Sequence, residues 1–478
     1  MKRNKWLFFP AIAAVVLLGW SFTDFRLNMG KPTKTEATER LPDKETAAEN
    51  LKDPSDETGV GADTEHSFQE EEFLLSEKYS AQEDGRRPEV KNQGSSSTCW
   101  ALAAVSALEA AVRPQQNLSF SADHLVQQNA FTVQPEEGGD SKMIMAYLSS
   151  WQGPVAADLR LEGETEAQKC ETESQWLEGE TDAQETANPV VHVQEMQLLD
   201  GAGVQELKTA VQKYGAVQTS LYMNRSTVSG DTSFYNADTY AYYCAEDRTQ
   251  DHDIIILGWD DSFSRKSFRQ TPDCDGAFLC QNSWGNDFGD DGLFYVSYAD
   301  ANIGKAAIAY TRIESADNYD RICQNDDCGW QGRQGYADET CWFANVYRAN
   351  EGEKLAAAGF YCVGKDTSYK LYLAEGLSAP SDLSSRRLLK EGSFAYPGYY
   401  TVELGEEIVL AAGERFALIV EIRTPGEKNP VAVEYQTDET QNVTLNGKYG
   451  FISHDGENWE HTESRYGSNV CLKGYLKM

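Results

Sequence analysis

A chain of 478 residues exceeds one ordinary hydrophobic core and suits two domains with accessory segments. Its formal net charge of −34 repels phosphate backbones, which argues against nucleic-acid binding and for a soluble protein working outside a cell.

Residues 1–29 open with Lys2, Arg3 and Lys5 ahead of an apolar run from Trp6 to Phe22, interrupted by Pro10 and Gly19. A basic flank before a short hydrophobic segment reads as an export signal. The run is slightly short against the roughly 20 residues of a membrane-spanning helix. The stretch from Trp20 to Phe25 lacks small residues spaced for cleavage. A removed signal peptide and a retained signal anchor, which would hold the chain at a membrane, stay open in equal measure. In both cases the body is exported to the cell surface or beyond, since positive charges tend to stay inside. Residues 30–72 are rich in Thr, Glu, Asp, Lys and Pro and nearly free of aromatics, which predicts a disordered acidic linker.

Residues 73–316 are expected to form one α+β domain. Leu102, Val105, Leu108 and Val112 recur at helical spacing after Cys99, and Pro114 stops the helix. Apolar strand-like runs follow, Ile254-Ile-Ile-Leu257 and Leu293-Phe-Tyr-Val296 among them. Helices first and strands later predict two halves with a cleft between them. Inside lies an acidic insertion, about residues 158–188, with the near-duplication Leu161-Glu-Gly-Glu-Thr-Glu-Ala-Gln168 and Leu177-Glu-Gly-Glu-Thr-Asp-Ala-Gln184. It reads as a duplicated surface loop and lacks the Gly-punctuated ligand spacing of a calcium loop. In residues 317–478, short alternating runs such as Tyr369–Leu373, Glu406–Leu410 and Phe416–Glu421 are separated by Gly, Pro, Asn and Asp, which predicts an all-β sandwich.

Ten cysteines are present. Export permits disulfides, and Cys274 with Cys280, or Cys323 with Cys328, are near enough in sequence to close small loops, though spacing does not fix connectivity. No cysteine or histidine pattern has metal-site spacing, and no cofactor is implied.

Chemistry concentrates in a few segments. In Val90-Lys-Asn-Gln-Gly-Ser-Ser-Ser-Thr-Cys-Trp-Ala101, a cysteine opens a helix, where backbone N–H groups and the helix dipole stabilise a thiolate. Gln93, six residues ahead in a Gly/Ser-rich turn, is positioned to donate its side-chain amide, with the Cys99 N–H, to an oxyanion. In Gln250-Asp-His-Asp-Ile-Ile-Ile-Leu-Gly-Trp-Asp260, His252 begins an apolar strand that pins its ring. In Phe278-Leu-Cys-Gln-Asn-Ser-Trp-Gly285, the Asn282 carbonyl is suited to accept from that ring, and Trp284 to cover the bond. The other five histidines have no comparable setting and read as surface or core residues.

Together these segments resemble the papain-like cysteine proteases, with Cys, His and Asn in the family's order. His252 lies 153 residues after Cys99 and Asn282 another 30 beyond, against about 130–150 for the family. Leu118–Leu125 is similar to the segment leading into the family's second helix, and Tyr214-Gly-Ala-Val217 to the start of its second half. The resemblance implies a two-lobed thiol endopeptidase acting on protein or peptide substrates through catalytic Cys99, His252, Asn282 and Gln93. It assigns substrate-binding roles to Gly138 and Gly139, whose backbone would hold extended substrate, and to Asp253 and Trp284.

There are departures. Ser96 stands where the family has a disulfide-forming cysteine, Ser97 replaces a glycine, and Thr98 replaces the residue before the nucleophile. Asp253 stands where the family has Ala or Gly, in the pocket for the second substrate residue on the N-terminal side of the cut. It either selects Lys or Arg there or pairs with a local cation. A charged helical pro-segment of the family's kind is not evident before Lys78. The aromatic-rich C-terminal segments, including Trp330–Tyr336, Phe343–Tyr347, Pro397–Tyr400 and Phe451–His454, resemble the lectin-like domain that follows bacterial papain-like proteases. That implies a possible surface carbohydrate partner, with the aromatics as sugar platforms or as core. The rival to an enzyme is a non-catalytic adhesin or binding protein with a decayed protease domain. A transglutaminase or acyl transferase shares the Cys–His logic but normally uses an acid in place of the Asn-Ser-Trp-Gly context.

Overall fold

The structure, a computed structural model, describes residues 75–157, 188–228, 234–445 and 449–478. The expected signal or anchor, the linker and the acidic insertion therefore lie outside the described residues. The described helices fall mostly in the first half, before the bulk of the strands, giving the expected α+β fold.

The central helix runs from Cys99 to Val112 and is buried on nearly all faces. Its sequence explains this: Ala101, Ala103, Ala104, Ala107 and Ala110 let neighbours approach closely, and Val105 and Leu108 fill the gaps. Arg113 ends it in an extended conformation, as the residue before a proline prefers. Helices Ala122–Gln127 and Ser141–Ser149 complete the helical half. In the other half, strand Val217–Leu221 pairs with His252–Asp260, which pairs with Ala277–Gln281, which pairs with Leu293–Ser297, all antiparallel. Helix Val204–Tyr214 packs on this group through Leu207, Ala210 and Val211.

Past residue 317 the chain forms the expected sandwich. A six-stranded sheet contributes Phe343, Leu371, Leu373, Leu418, Val420 and Ile422 to a core shared with Leu355, Phe360, Val402, Leu472 and Leu476 of the facing strands. Those facing strands belong to the protease-half sheet. Strand Gly398–Val409 pairs antiparallel with Val191–Leu198 (Gly398 opposite Gln197, Tyr400 opposite Glu195), producing one 13-stranded sheet across both domains. Tyr361 and Tyr399 pack in the same cluster as the central helix, and the Tyr361 hydroxyl lies 2.8 Å from Ser149 Oγ. The sequence hinted at two domains but not at this continuity.

Two expectations are resolved here. The aromatics Phe343, Tyr347, Phe360, Tyr369, Tyr399, Tyr400 and Phe451 are all buried, so these build the core and the domain junction, while Tyr336 is half-buried. The nine described cysteines are all thiols. Cys280 faces the core from its strand while Cys274 is exposed in the preceding loop, so the small loop between them is not closed. No helix among the described residues is long and apolar enough to cross a membrane.

A shared sheet and shared cores make the two domains one cooperative unit. Calorimetry of the full chain should show a single major unfolding transition. A chain ending at residue 316 should lose it, because the Val191–Leu198 strand would lose its partner and the core Tyr361 and Tyr399. Two well-separated transitions in the full chain would contradict this.

Candidate active site

Cys99 is the first residue of the central helix. Its N-cap, Thr98, makes no side-chain cap, leaving the first backbone N–H groups to face the site. Burial, followed by the Asp253 carboxylate, pushes the Cys99 thiol up to about 11, against the opposing pull of the Asp253, Trp100 and Cys99 backbone N–H groups. By itself, then, the thiol keeps its proton at neutral pH. A base must take it.

His252 begins its strand and is buried. Its Nε2 lies 2.7 Å from Asn282 Oδ1, which also accepts from the Ser283 N–H at 2.7 Å. The Trp284 ring sits 4.8 Å from the imidazole, tilted by 36°, and Phe288 abuts its far side edge-on. His252 and Asn282 are thus held in a dry corner, where their hydrogen bond has little competition from water.

The loop before Cys99 is laced to the segment behind His252. Gln93 N–H donates to Ser283 O at 2.9 Å and Gly285 N–H to Lys91 O at 3.0 Å. Gly285 has φ of +80°, and a Cβ there would come within 3.1 Å of the Asn92 amide. Gln93 Oε1 accepts from Ser283 Oγ at 2.9 Å, while Gln93 Nε2 donates to Ser96 O at 2.8 Å. One amide hydrogen is therefore spent within the loop, and the other belongs to an amide that lines the cleft. Ser96 holds the loop together, its Oγ donating to Gln93 O at 2.6 Å with Thr98 Oγ1 at 2.7 Å. Hydrogen bonds now occupy the place of the disulfide.

Beneath the loop, Lys91 Nζ pairs with Glu109 at 2.8 Å; the Glu109 side chain is fully buried and also accepts from Phe120 N–H. The pair fastens the loop to the central helix.

Gln93, Cys99, Gly138, Gly139, His252, Asp253 and Trp284 line one cleft of about 970 Å³, with Asn282 buried behind His252. All eight residues singled out from sequence converge. Gly139 lies flat on the Trp100 indole, where a Cβ would approach to 2.5 Å. The Asp253 carboxylate accepts from Gln218 Nε2 at 2.7 Å and from Ser220 Oγ at 2.6 Å. Burial raises its pKa, and those two bonds partly offset the rise. Its partners are neutral, so pairing with a local cation is not what forms among the described residues. Gln218 Nε2 also donates to Trp100 O at 3.1 Å, and Gln218 Oε1 accepts from the Tyr310 hydroxyl at 2.8 Å.

Sequence reasoning missed Lys91, Glu109, Gln218, Ser220 and Tyr310. Two polar residues at alternate positions in Val217–Leu221 were a usable signal, because alternation puts them on one face. Their partner emerges only from the register, which sets Ser220 opposite Asp253.

Comparison with known proteins gives the family and the fold. The papain family cysteine protease profile matches residues 75–313, half of the chain, and the lectin like domain profile matches residues 322–476. The chain belongs to the papain family of cysteine proteases and carries a lectin-like domain after its protease domain. Among solved structures, the clostridial cysteine protease Cwp84 after propeptide cleavage shares the fold with a TM-score of 0.71 at 24% identity, over 84% of this chain and 100% of that one. A second structure holds the cysteine protease and lectin-like domains of Cwp84, a surface layer associated protein of Clostridium difficile. It gives a TM-score of 0.69 at 24% identity, over 84% of this chain and 89% of that one. No curated protein sequence matches the chain.

Removing one partner of a buried ion pair strands the other. Lys91→Met should therefore cost about 3–5 kcal/mol in urea unfolding. A loss below about 1 kcal/mol would mean that the pair does not hold the loop.

Proposed function

We propose that this chain is an exported thiol endopeptidase in which Cys99 is the nucleophile, His252 the base, Asn282 the group that orients it and Gln93 an oxyanion donor. The observation that carries this reading is the 2.7 Å bond from His252 Nε2 to Asn282 Oδ1, beside the cleft that the helix-opening Cys99 lines. That bond gives Nε2 the proton and leaves the acceptor role to Nδ1. Nδ1 takes the Cys99 proton as the sulfur attacks a peptide carbonyl carbon. The oxyanion is met by the Cys99 N–H and the second hydrogen of the Gln93 amide. As the carbon–nitrogen bond breaks, His252 returns the proton to the leaving amine, and water then hydrolyses the thioester. Gly138 and Gly139, without side chains, let an extended substrate lie against their backbone, and Trp284 keeps water from the orienting bond.

Asp253 reads the substrate. Its carboxylate has neutral partners on a cleft wall that also carries Asp140 and Asp251. A Lys or Arg side chain two residues N-terminal to the cut supplies the missing positive charge. Export is supported by the basic flank and apolar run at residues 2–22. Work at a cell surface, with the lectin-like domain contacting surface carbohydrate, is supported by the profile match and by the surface-layer association of Cwp84.

An epoxysuccinyl thiol inhibitor should label the wild type and not Cys99→Ala; absence of labelling in both would favour a decayed binding protein. Asn282→Ala should lower kcat about 100-fold with little change in KM. In a fluorogenic dipeptide panel, Arg-Arg should be cleaved about tenfold better than Leu-Arg, and Asp253→Ala should remove the preference. Equal cleavage by the wild type would end the role of Asp253 in selection.

A further inference from the structure

The Asp253 carboxylate is tied to the other half of the domain through Gln218. The Gln218 amide nitrogen reaches both Asp253 Oδ2, at 2.7 Å, and the carbonyl of Trp100, at 3.1 Å, the residue directly after the nucleophile. The Tyr310 hydroxyl saturates the other end of that amide at 2.8 Å, and Gln218 is buried. A rigid, fully satisfied strut thus sets a carboxylate against the first turn of the Cys99 helix. The same helix N-terminus is the source of the field that favours a thiolate. Two anions, the Asp253 carboxylate and the Cys99 thiolate, compete for it. Burial is the larger cause of the raised Cys99 thiol; the Asp253 charge adds to it, while the Asp253 backbone N–H opposes it. Among the described side chains, the charged and titratable groups facing Asp253 are Cys99 on the helix, Asp140 at the start of Ser141–Ser149, Tyr310 on the neighbouring strand, and His252 beside it.

Resting on the reading that Asp253 meets a substrate cation, we propose that Asp253 is also a charge-sensing brake: unneutralised, it keeps the proton on Cys99, and a guanidinium or ammonium of the substrate releases it. Specificity then operates twice, in binding and in forming the nucleophile. A neutral side chain in the same pocket would bind without lifting the brake and would lose kcat as well as affinity.

The test reads the thiol and not peptide cleavage. Alkylation of Cys99 by iodoacetamide, in which sulfur loses its proton and bonds to carbon as iodide leaves, is followed in the full chain from pH 5 to pH 10 by mass spectrometry of the Cys99 peptide, since Cys274 is an exposed thiol as well. Asp253→Asn should speed alkylation of Cys99 near pH 7 by about tenfold, as a thiol about one unit more acidic would. In the wild type, 1-butylguanidine should accelerate alkylation near pH 7 by up to about tenfold, and the neutral isostere butylurea should not. The butylguanidine effect should vanish in Asp253→Asn. The wild-type arm needs no variant to fold. An unchanged profile in Asp253→Asn, or wild-type alkylation that butylguanidine leaves unchanged or slows, overturns the brake. If the dipeptide panel still favours Arg, the selection reading survives that failure; if it does not, the selection reading falls on its own evidence.

Discussion

The site depends on backbone pairing between two stretches nearly 200 residues apart, Lys91 to Gln93 and Ser283 to Gly285. Two N–H···O bonds, Gln93 to Ser283 and Gly285 to Lys91, set the Gln93 side of the cleft against the segment that carries Asn282. Side chains finish the work: Ser283 Oγ holds the Gln93 carbonyl, and Asn282 reaches the imidazole. The geometry also explains the glycine at 285, since the chain must turn at positive φ while close to Asn92. Lys91 carries the constraint to the central helix through Glu109, so loop, helix and base are fixed in one frame.

What the sequence made legible follows from how local the physics is. Cys99 opens a helix because small residues and alanines follow it and Pro114 ends it. His252 and Asn282 flank apolar strands that cannot lie elsewhere than in a core. Such signals are contained in ten or so residues. The partners of Asp253 were not legible in the same way, because Gln218 and Ser220 become its neighbours only through antiparallel register. Likewise the C-terminal aromatics carried two meanings on paper. A Phe or Tyr beside Gly and Asn suits a sugar platform as well as a core, and only burial separates them. The cysteine spacings left connectivity open for a related reason: proximity along the chain does not say that Cys274 is exposed while Cys280 faces the core, or that Cys323 and Cys328 are both buried as thiols.

The departures from the family pattern are compensated locally. Ser96 forgoes a cross-link but gains hydroxyl bonds to Gln93 O and near Thr98 Oγ1, so loop closure rests on hydrogen bonds and on the Lys91–Glu109 pair. Each such bond has a modest net value of about 0.5–1.5 kcal/mol, whereas a disulfide acts mainly on the unfolded chain. The exchange suits a loop that must stay positioned in the folded state while no longer depending on redox conditions. The nine described thiols point the same way, since the described fold is held by packing and not by cross-links.

The continuous sheet gives the second domain a meaning beyond attachment. A lectin-like module on a flexible tether would raise local substrate concentration and leave the cleft free to turn. Here Gly398–Val409 is hydrogen-bonded to Val191–Leu198, and Tyr361 from the C-terminal domain reaches Ser149 at the end of a protease helix. Whatever surface the sandwich contacts therefore fixes the direction in which the cleft faces. Orientation of that kind restricts which peptide segments can enter. Under the proposed function, a fixed approach and an acidic cleft wall would act as two independent filters on substrate, one geometric and one electrostatic. Neither requires the pocket to be tightly shaped, which is consistent with a cleft of about 970 Å³ lined largely by Gly, Ser, Thr and acidic residues.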